Sequence, residues 1–323
     1  MADKTFDIEK PLWDLSTFYG RWRHFAWVTD PRSCLASDQE LHDAKKLYHS
    51  YKNGQTPMND QTLRAKKLYE SAFHPDTGEL QNVFGRMSCQ VPGGMAITGA
   101  MLQFYKTTGA VVFWQWANQS FNALVNYTNR NANCPITTSQ LTTAYVSATA
   151  AAMVTAIGCK SLWKNLSNPL IARYVPFAAV AAANCVNIPL MRQNELIEGV
   201  DLVDENGTKL TQSKVAAAKG ISQVTVSRII MCAPGMCILP PIMAKLETYK
   251  LMQRIKVLHG PIQVILCGCF LTIMVPTACA IFPQNCSIET STLKKWEPES
   301  YEKLIDNCKG EEPPKYLYFN KGL

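Results

Sequence analysis

Apolar and polar positions follow two regimes along the chain. Up to residue 86, apolar residues recur at helical intervals among charged ones. Leu41, Ala44, Leu47, Tyr48 and Tyr51 have the spacing of one helix face, and Ser37 and Glu40 stand as a capping box before them. Gly54 is placed to end that helix. A second helix is predicted over residues 59–73. Both helices contain Ala-Lys-Lys-Leu-Tyr, at 44–48 and 65–69, which suggests a helical hairpin. Residues 74–79, His-Pro-Asp-Thr-Gly-Glu, then break the pattern. Pro75 fixes the backbone and Gly78 permits positive φ, so a tight turn is expected. His74 has no second histidine nearby, which favours turn chemistry over a metal.

Beyond residue 86 the charges all but vanish. Residues 87–160 contain only Lys106, Arg130 and Lys160; residues 174–191 and 260–288 contain none. Five apolar segments follow, over 109–129, 140–159, 173–191, 221–243 and 261–283, of which the fifth is the least ambiguous and about as long as a bilayer requires. Residues 91–105 are uncharged but short and glycine-bearing, and are expected to form a re-entrant or interfacial helix. The predicted architecture is all-α: a soluble helical head (1–90), a membrane domain of about five transmembrane helices (91–283) and a short tail (284–323). Five spans would put the termini on opposite sides. The loop lysines and arginines would then lean toward an inward-facing head. Ala144, Ala148, Ala152 and Ala156 give the second segment a small face that lets a neighbouring helix approach closely. The third and fourth segments are interrupted by Pro189, Pro234-Gly235 and Pro240-Pro241, and interruptions of this kind mark transporter sites.

The first segment carries the most informative pattern. Gln115, Asn118, Asn122, Asn126 and Asn129 are spaced three, four, four and three apart. At about 100° per residue they share a stripe about 80° wide. Trp114, Trp116, Phe121, Leu124 and Val125 fall elsewhere on the wheel. Carboxamides donate and accept hydrogen bonds without the desolvation cost of an ion. The stripe therefore suits a membrane helix facing other helices or a watery cavity. Either it only packs, as an interhelical ladder, or it also lines a substrate path. Asn184 and Asn187 on the third segment and Arg228 inside the fourth are the other polar groups at membrane depth. An intramembrane arginine is costly and usually paired. It either snorkels to the interface or serves as a counter-charge for a substrate carboxylate. No Asp or Glu lies within the five segments to neutralise it.

Composition adds exclusions. The net charge of +7 is spread out, with no basic run interleaved with aromatics, so a nucleic-acid partner is not expected. Seven of the twelve cysteines lie inside apolar segments at spacings that fit no zinc pattern, and read as small apolar fillers. The N-terminus, Met-Ala-Asp-Lys-Thr-Phe-Asp, has neither a secretory h-region nor an Arg-rich transit pattern. No nucleophile–base constellation, P-loop or dinucleotide fingerprint is found, so no enzyme and no cofactor are expected.

Several motifs resemble those of the sideroflexins. They are Thr29-Asp30-Pro31-Arg32, the 74–79 turn, Trp114-Gln115-Trp116 followed by residues 118–122, the run 175–185, Ala233-Pro234-Gly235-Met236 and the terminal 318–323. The resemblance covers nearly the whole chain. It implies a multi-pass protein of the mitochondrial inner membrane that transports amino acids, serine above all, for one-carbon metabolism. For the branch of the family that residues 91–94 and 256–259 most resemble, it also implies a link to iron and haem homeostasis. It brings no residue-level site with it.

The expected function is therefore a carrier of small neutral amino acids, with the lipid bilayer as its other partner. Asn118, Asn122, Asn126, Asn184, Asn187 and Arg228 are the candidate substrate-binding residues. The alternatives are a non-transporting assembly or scaffold protein and an iron-related carrier. The spans lack the carboxylates and imidazoles that iron prefers, so the iron link is expected to be indirect.

Overall fold

In the computed structural model, residues 6–75, 77–105, 107–129, 137–163, 174–308 and 312–322 are described. Asp76, Lys106, Arg130, Lys164, Arg173 and Leu323 lie outside them. The protein is an all-helical bundle with a helical head and one small sheet.

The head begins with α1 (Phe18–Val28) and continues through α2 (Asp38–Lys52) and α3 (Asp60–Ala72). Ser37 caps α2 by accepting from the Glu40 amide at 3.2 Å, and Gly54 follows the helix with φ +72°. The two Ala-Lys-Lys-Leu-Tyr copies face each other in the expected hairpin. Leu41, Ala44, Ala65 and Leu68 form its core, and Tyr48 stacks on Tyr69 with centroids 4.4 Å apart. The 74–79 turn closes through the His74 amide donating to the Glu79 carbonyl at 2.9 Å and through Gly78 at φ +65°. Lys66 is fully buried, donates to the Ile8 carbonyl at 2.5 Å and pairs with Glu70. Burial, with Lys66 nearby, pushes the His24 imidazole down to about 4.

Six bundle helices follow: α4 (Gln90–Phe104), α5 (Thr108–Thr128), α6 (Thr138–Trp163), α7 (Val175–Met191), α9 (Lys214–Leu246) and α11 (His259–Ile281). Three stretches, Thr138–Leu162, Lys214–Leu246 and Lys256–Ile281, are long and apolar enough to cross a membrane, and α7 is a shorter apolar helix. α5 has 21 residues, about 31 Å at 1.5 Å per residue, but its carboxamides lower its hydropathy. The tightest seam joins α6 to α7, where Ala144, Ala148, Ala152 and Ala156 are all buried opposite Ala179 and Ala183. The prolines do not break their helices: α7 runs through Pro189, and α9 runs continuously through Pro234, Pro240 and Pro241. Each proline removes one backbone donor, and the surrounding bundle holds the helix together across the gap.

The packing of α4 adds a partner that its hydropathy did not show: it lies antiparallel along α11. A Cβ on Gly94 would stand 3.1 Å from Leu271 Cδ1, one on Gly99 2.8 Å from Val264 Cα, and one on Gly260 3.6 Å from Gln103 Cγ. Glycine is what allows α4 in so close. The six bundle helices therefore run alternately up and down, and head and tail meet at one end of the bundle. There, Arg21 Nε donates to the Ala280 carbonyl at 2.8 Å and Trp22 Nε1 to Thr277 Oγ1 at 3.1 Å, joining α1 to the end of α11. The basic residues Lys160, Lys245, Lys250, Arg254 and Lys256 lie at the far end of the bundle.

The sheet was not visible in the hydropathy pattern. Strands β1 (Val200–Val203) and β2 (Lys209–Ser213) follow the short helix α8 (Gln193–Glu198). They join β3 (Asn285–Glu289) and β4 (Tyr316–Asn320) of the tail in the order β2-β1-β4-β3, all neighbours antiparallel. With α12 (Thr290–Trp296), α13 (Pro298–Asn307) and the first turns of α9, the strands enclose a core of Leu202, Ala216, Ile288, Leu293, Leu304, Leu317 and Phe319.

Three outcomes are expected. Epitope tags at the two termini of protein inserted in sealed vesicles will be cleaved together or protected together by added protease; one of each would show that α4 does not cross. Gly99→Leu will drive a side chain into the α11 backbone, and overpacking of this kind costs about 1–3 kcal/mol. A melting temperature equal to wild type would contradict that packing. For His24, the folded value lies below the unfolded one near 6.5, so the unfolded chain binds more protons between them. Its contribution is present above about pH 6.5 and is lost as pH falls toward 4. His24→Gln should flatten the fall in melting temperature across that window.

Candidate functional site

The carboxamide stripe serves two roles along α5. At its ends it holds structure. Gln115 is fully buried and donates to Tyr105 Oη at 2.7 Å. Asn129 accepts from Gln81 Nε2 at 2.8 Å and donates to the Gly85 carbonyl at 2.9 Å, tying the end of α5 to the head. In its middle, Asn118 and Asn122 face a cavity of about 80 Å³ between the helices. The opposite surface of α5 presents Phe113, Trp116 and Leu124 outward, as expected of a helix with lipid outside and polar groups inside.

Five helices build the cavity. α5 supplies Asn118, Phe121 and Asn122; α7 supplies Asn184; α9 supplies Arg228, Met231 and Cys232; α11 supplies Leu271 and Val275. α4 supplies Gln90, Gly94, Ile97 and Thr98. Four of the six residues singled out by sequence, Asn118, Asn122, Asn184 and Arg228, thus meet at one place although they come from three helices. The other two do not line it. Asn126 is half-buried one turn beyond Asn122, and Asn187 is buried about one turn beyond Asn184. Both lie on the side of the cavity nearer the head.

The cavity is rich in unspent donors. Asn118 Nδ2 and Gln90 Nε2 are enclosed and have no hydrogen-bond partner among the described residues. No described ion pair or side-chain hydrogen bond uses the half-buried Arg228 guanidinium. No carboxylate stands in the lining. A guanidinium that shares a cavity with two amide donors, with no carboxylate among the described lining residues, is suited to an anionic group on a small solute. The lining also holds the Asn122 and Asn184 carboxamides and the Thr98 hydroxyl, which can accept from an ammonium.

The two ends of the cavity differ. Toward the far end, buried Met101, Val180 and Met236 pack with Trp114 and Phe177 and seal it. Toward the head, Phe121 meets Phe84 edge-on with centroids 6.2 Å apart. Gln90 and Thr98 were missed by sequence reasoning because 91–105 was set aside as too short to span. Its glycines were the signal available: a Cβ on Gly93 would lie 2.6 Å from the Phe121 ring, so α4 can lie against α5 only without one.

No three His, Cys, Asp or Glu side chains gather in a way that could hold a metal ion among the described residues. The cysteines at 159, 185, 232, 237, 267, 269 and 279 are free thiols in or beside the bundle.

A bundle of long apolar helices with carboxamides turned toward a small cavity between them defines a multi-pass membrane protein. The sideroflexin family model matches residues 7–323, and the chain belongs to that family. It is 57% identical over 320 residues to sideroflexin-2 of Drosophila melanogaster, covering 98% of each chain. It is 56% identical over 324 residues to human sideroflexin-2, again covering 98% of each. Human sideroflexin-1 is 51% identical over 320 residues, covering 98% of this chain and 97% of its own. No solved structure matches.

Proposed function

We propose that the protein carries small neutral amino acids, serine foremost, across the mitochondrial inner membrane, with Arg228, Asn118 and Gln90 receiving the substrate carboxylate. It acts as a carrier without catalysis and uses no cofactor. The observation that carries this reading is the meeting of Arg228 with unpartnered amide donors in one small, carboxylate-free cavity. An intramembrane arginine without an acidic neighbour is expensive to maintain, and a ligand carboxylate would offset that cost. The ammonium of the same zwitterion falls to the oxygens of Asn122, Asn184 and Thr98, and the small volume suits a side chain of few atoms. The link to one-carbon metabolism and the indirect link to iron and haem rest on the family resemblance alone.

Labelled-serine uptake by the purified protein in proteoliposomes tests the reading. Asn122→Leu removes a donor and an acceptor from the cavity while keeping the helix apolar enough to insert. A lost hydrogen bond to a charged group costs about 1.5–3 kcal/mol, so uptake at low substrate should fall by about one to two orders of magnitude. Asn129→Ala, which removes the tie to Gln81 and Gly85, should lower the melting temperature and leave uptake per molecule near wild type. Unchanged uptake in Asn122→Leu with a lowered melting point would make Asn122 a packing residue. No uptake by the wild-type protein would favour a scaffold.

A further inference from the structure

The far end of the bundle carries a cationic surface with no use inside the protein. Residues 245–258 form a strap joining α9 to α11. It contains the short helix α10 (Lys250–Arg254) and a single 3-10 turn, Lys256–Leu258. Met252 turns inward, and its carbonyl lies 2.8 Å from His259 Nε2, which pins the strap to the start of α11. Lys245, Lys250, Arg254 and Lys256 are all exposed. None of their side chains enters a described ion pair or hydrogen bond, and Glu247 is the strap's single carboxylate. At the head end several cations are paired, Arg86 with Asp38, Lys67 with Asp30, Arg64 with Glu40 and Arg192 with Glu195, while Lys294 and Lys295 are exposed and enter no described ion pair.

The cations alternate with bare apolar side chains. Leu251 is 68% and Val257 89% exposed. The strap joins two membrane helices, so it lies where the headgroups begin. A segment in that position with free cations and outward apolar chains satisfies both at once: the apolar chains sink into the acyl boundary, and the lysines reach up to phosphates.

We propose that the strap is a docking surface for anionic phospholipid, with Lys245, Lys250, Arg254 and Lys256 contacting the headgroups and Leu251 and Val257 inserted below them. The occupant is a lipid rather than a free phosphate, because the cations are spread along the strap and separated by apolar chains instead of converging on one point. The proposal stands apart from the amino-acid reading of the cavity.

The test is a lipid titration of the purified full-length protein in detergent micelles, followed by melting temperature. Phosphatidylglycerol should raise the midpoint saturably; phosphatidylcholine or inorganic phosphate at the same concentration should not. Each lysine or arginine near an anionic surface contributes about 1 kcal/mol, or about fivefold. The variant Lys245→Gln/Lys250→Gln/Arg254→Gln/Lys256→Gln should therefore need about two to three orders of magnitude more phosphatidylglycerol for half the effect. The two double variants, Lys245→Gln/Lys250→Gln and Arg254→Gln/Lys256→Gln, should fall between, and they decide the matter if the fourfold variant does not fold. Lys294→Gln/Lys295→Gln, exposed at the head end, should titrate like wild type. The proposal is overturned if phosphate alone reproduces the shift, if phosphatidylcholine works equally well, if the strap variants titrate like wild type, or if the head-end control weakens binding as much.

Discussion

A polar side chain that leaves water must find another partner, and within a bilayer only protein or a solute can supply one. That constraint orders this molecule. Carboxamides are the compromise it selects at membrane depth, since they cost less to bury than an ion and can be satisfied from either side. Gln115 meets Tyr105, Ser120 meets Tyr145 at 2.8 Å, and Asn129 meets Gln81 and Gly85. Asn118, Gln90 and Arg228, whose amide donors or guanidinium meet no described partner, line a cavity between the helices.

Packing makes that feature possible. The alanine face of α6 draws α7 in, and the glycines of α4 draw it against α5 and α11. Five helices can then converge on a small volume without large side chains filling it. The soluble layer serves the same end. The sheet gathers the 200–213 excursion and the tail, while α1 and the 81–86 loop clamp the ends of α11 and α5. The head-side ends of the bundle are thereby held by hydrogen bonds to the head.

Much of this was legible in the chain. The charge-free runs marked the membrane helices, the period of four on α6 marked its seam, and the three-four spacing on α5 marked the stripe. Four of the six residues singled out share the cavity because intramembrane polar groups are few, and several helices must turn them inward together. What could not be read was pairing between distant segments. The hydropathy of 91–105 describes a short helix but not its partner, so α4 and with it Gln90 and Thr98 went unassigned. Strands of four or five residues, such as β1 and β4, carry too few positions for a period-two pattern to stand out. Asn126 and Asn187 share helix faces with Asn122 and Asn184, yet a helical wheel fixes direction and not depth.

Depth gives those two residues a meaning of their own. Along α5 and α7, the positions headward of the cavity are Asn126 and Asn187; along α4, α7 and α9, the positions beyond it are Met101, Val180 and Met236. A polar solute leaving the cavity toward the head would meet carboxamides that can replace its water. One leaving the other way would have to pass packed methionine and valine with no donor or acceptor to offer. The proposed carrier in this conformation therefore has its lower barrier on the head side, and movement to the other side requires the Met101–Val180–Met236 seam to open.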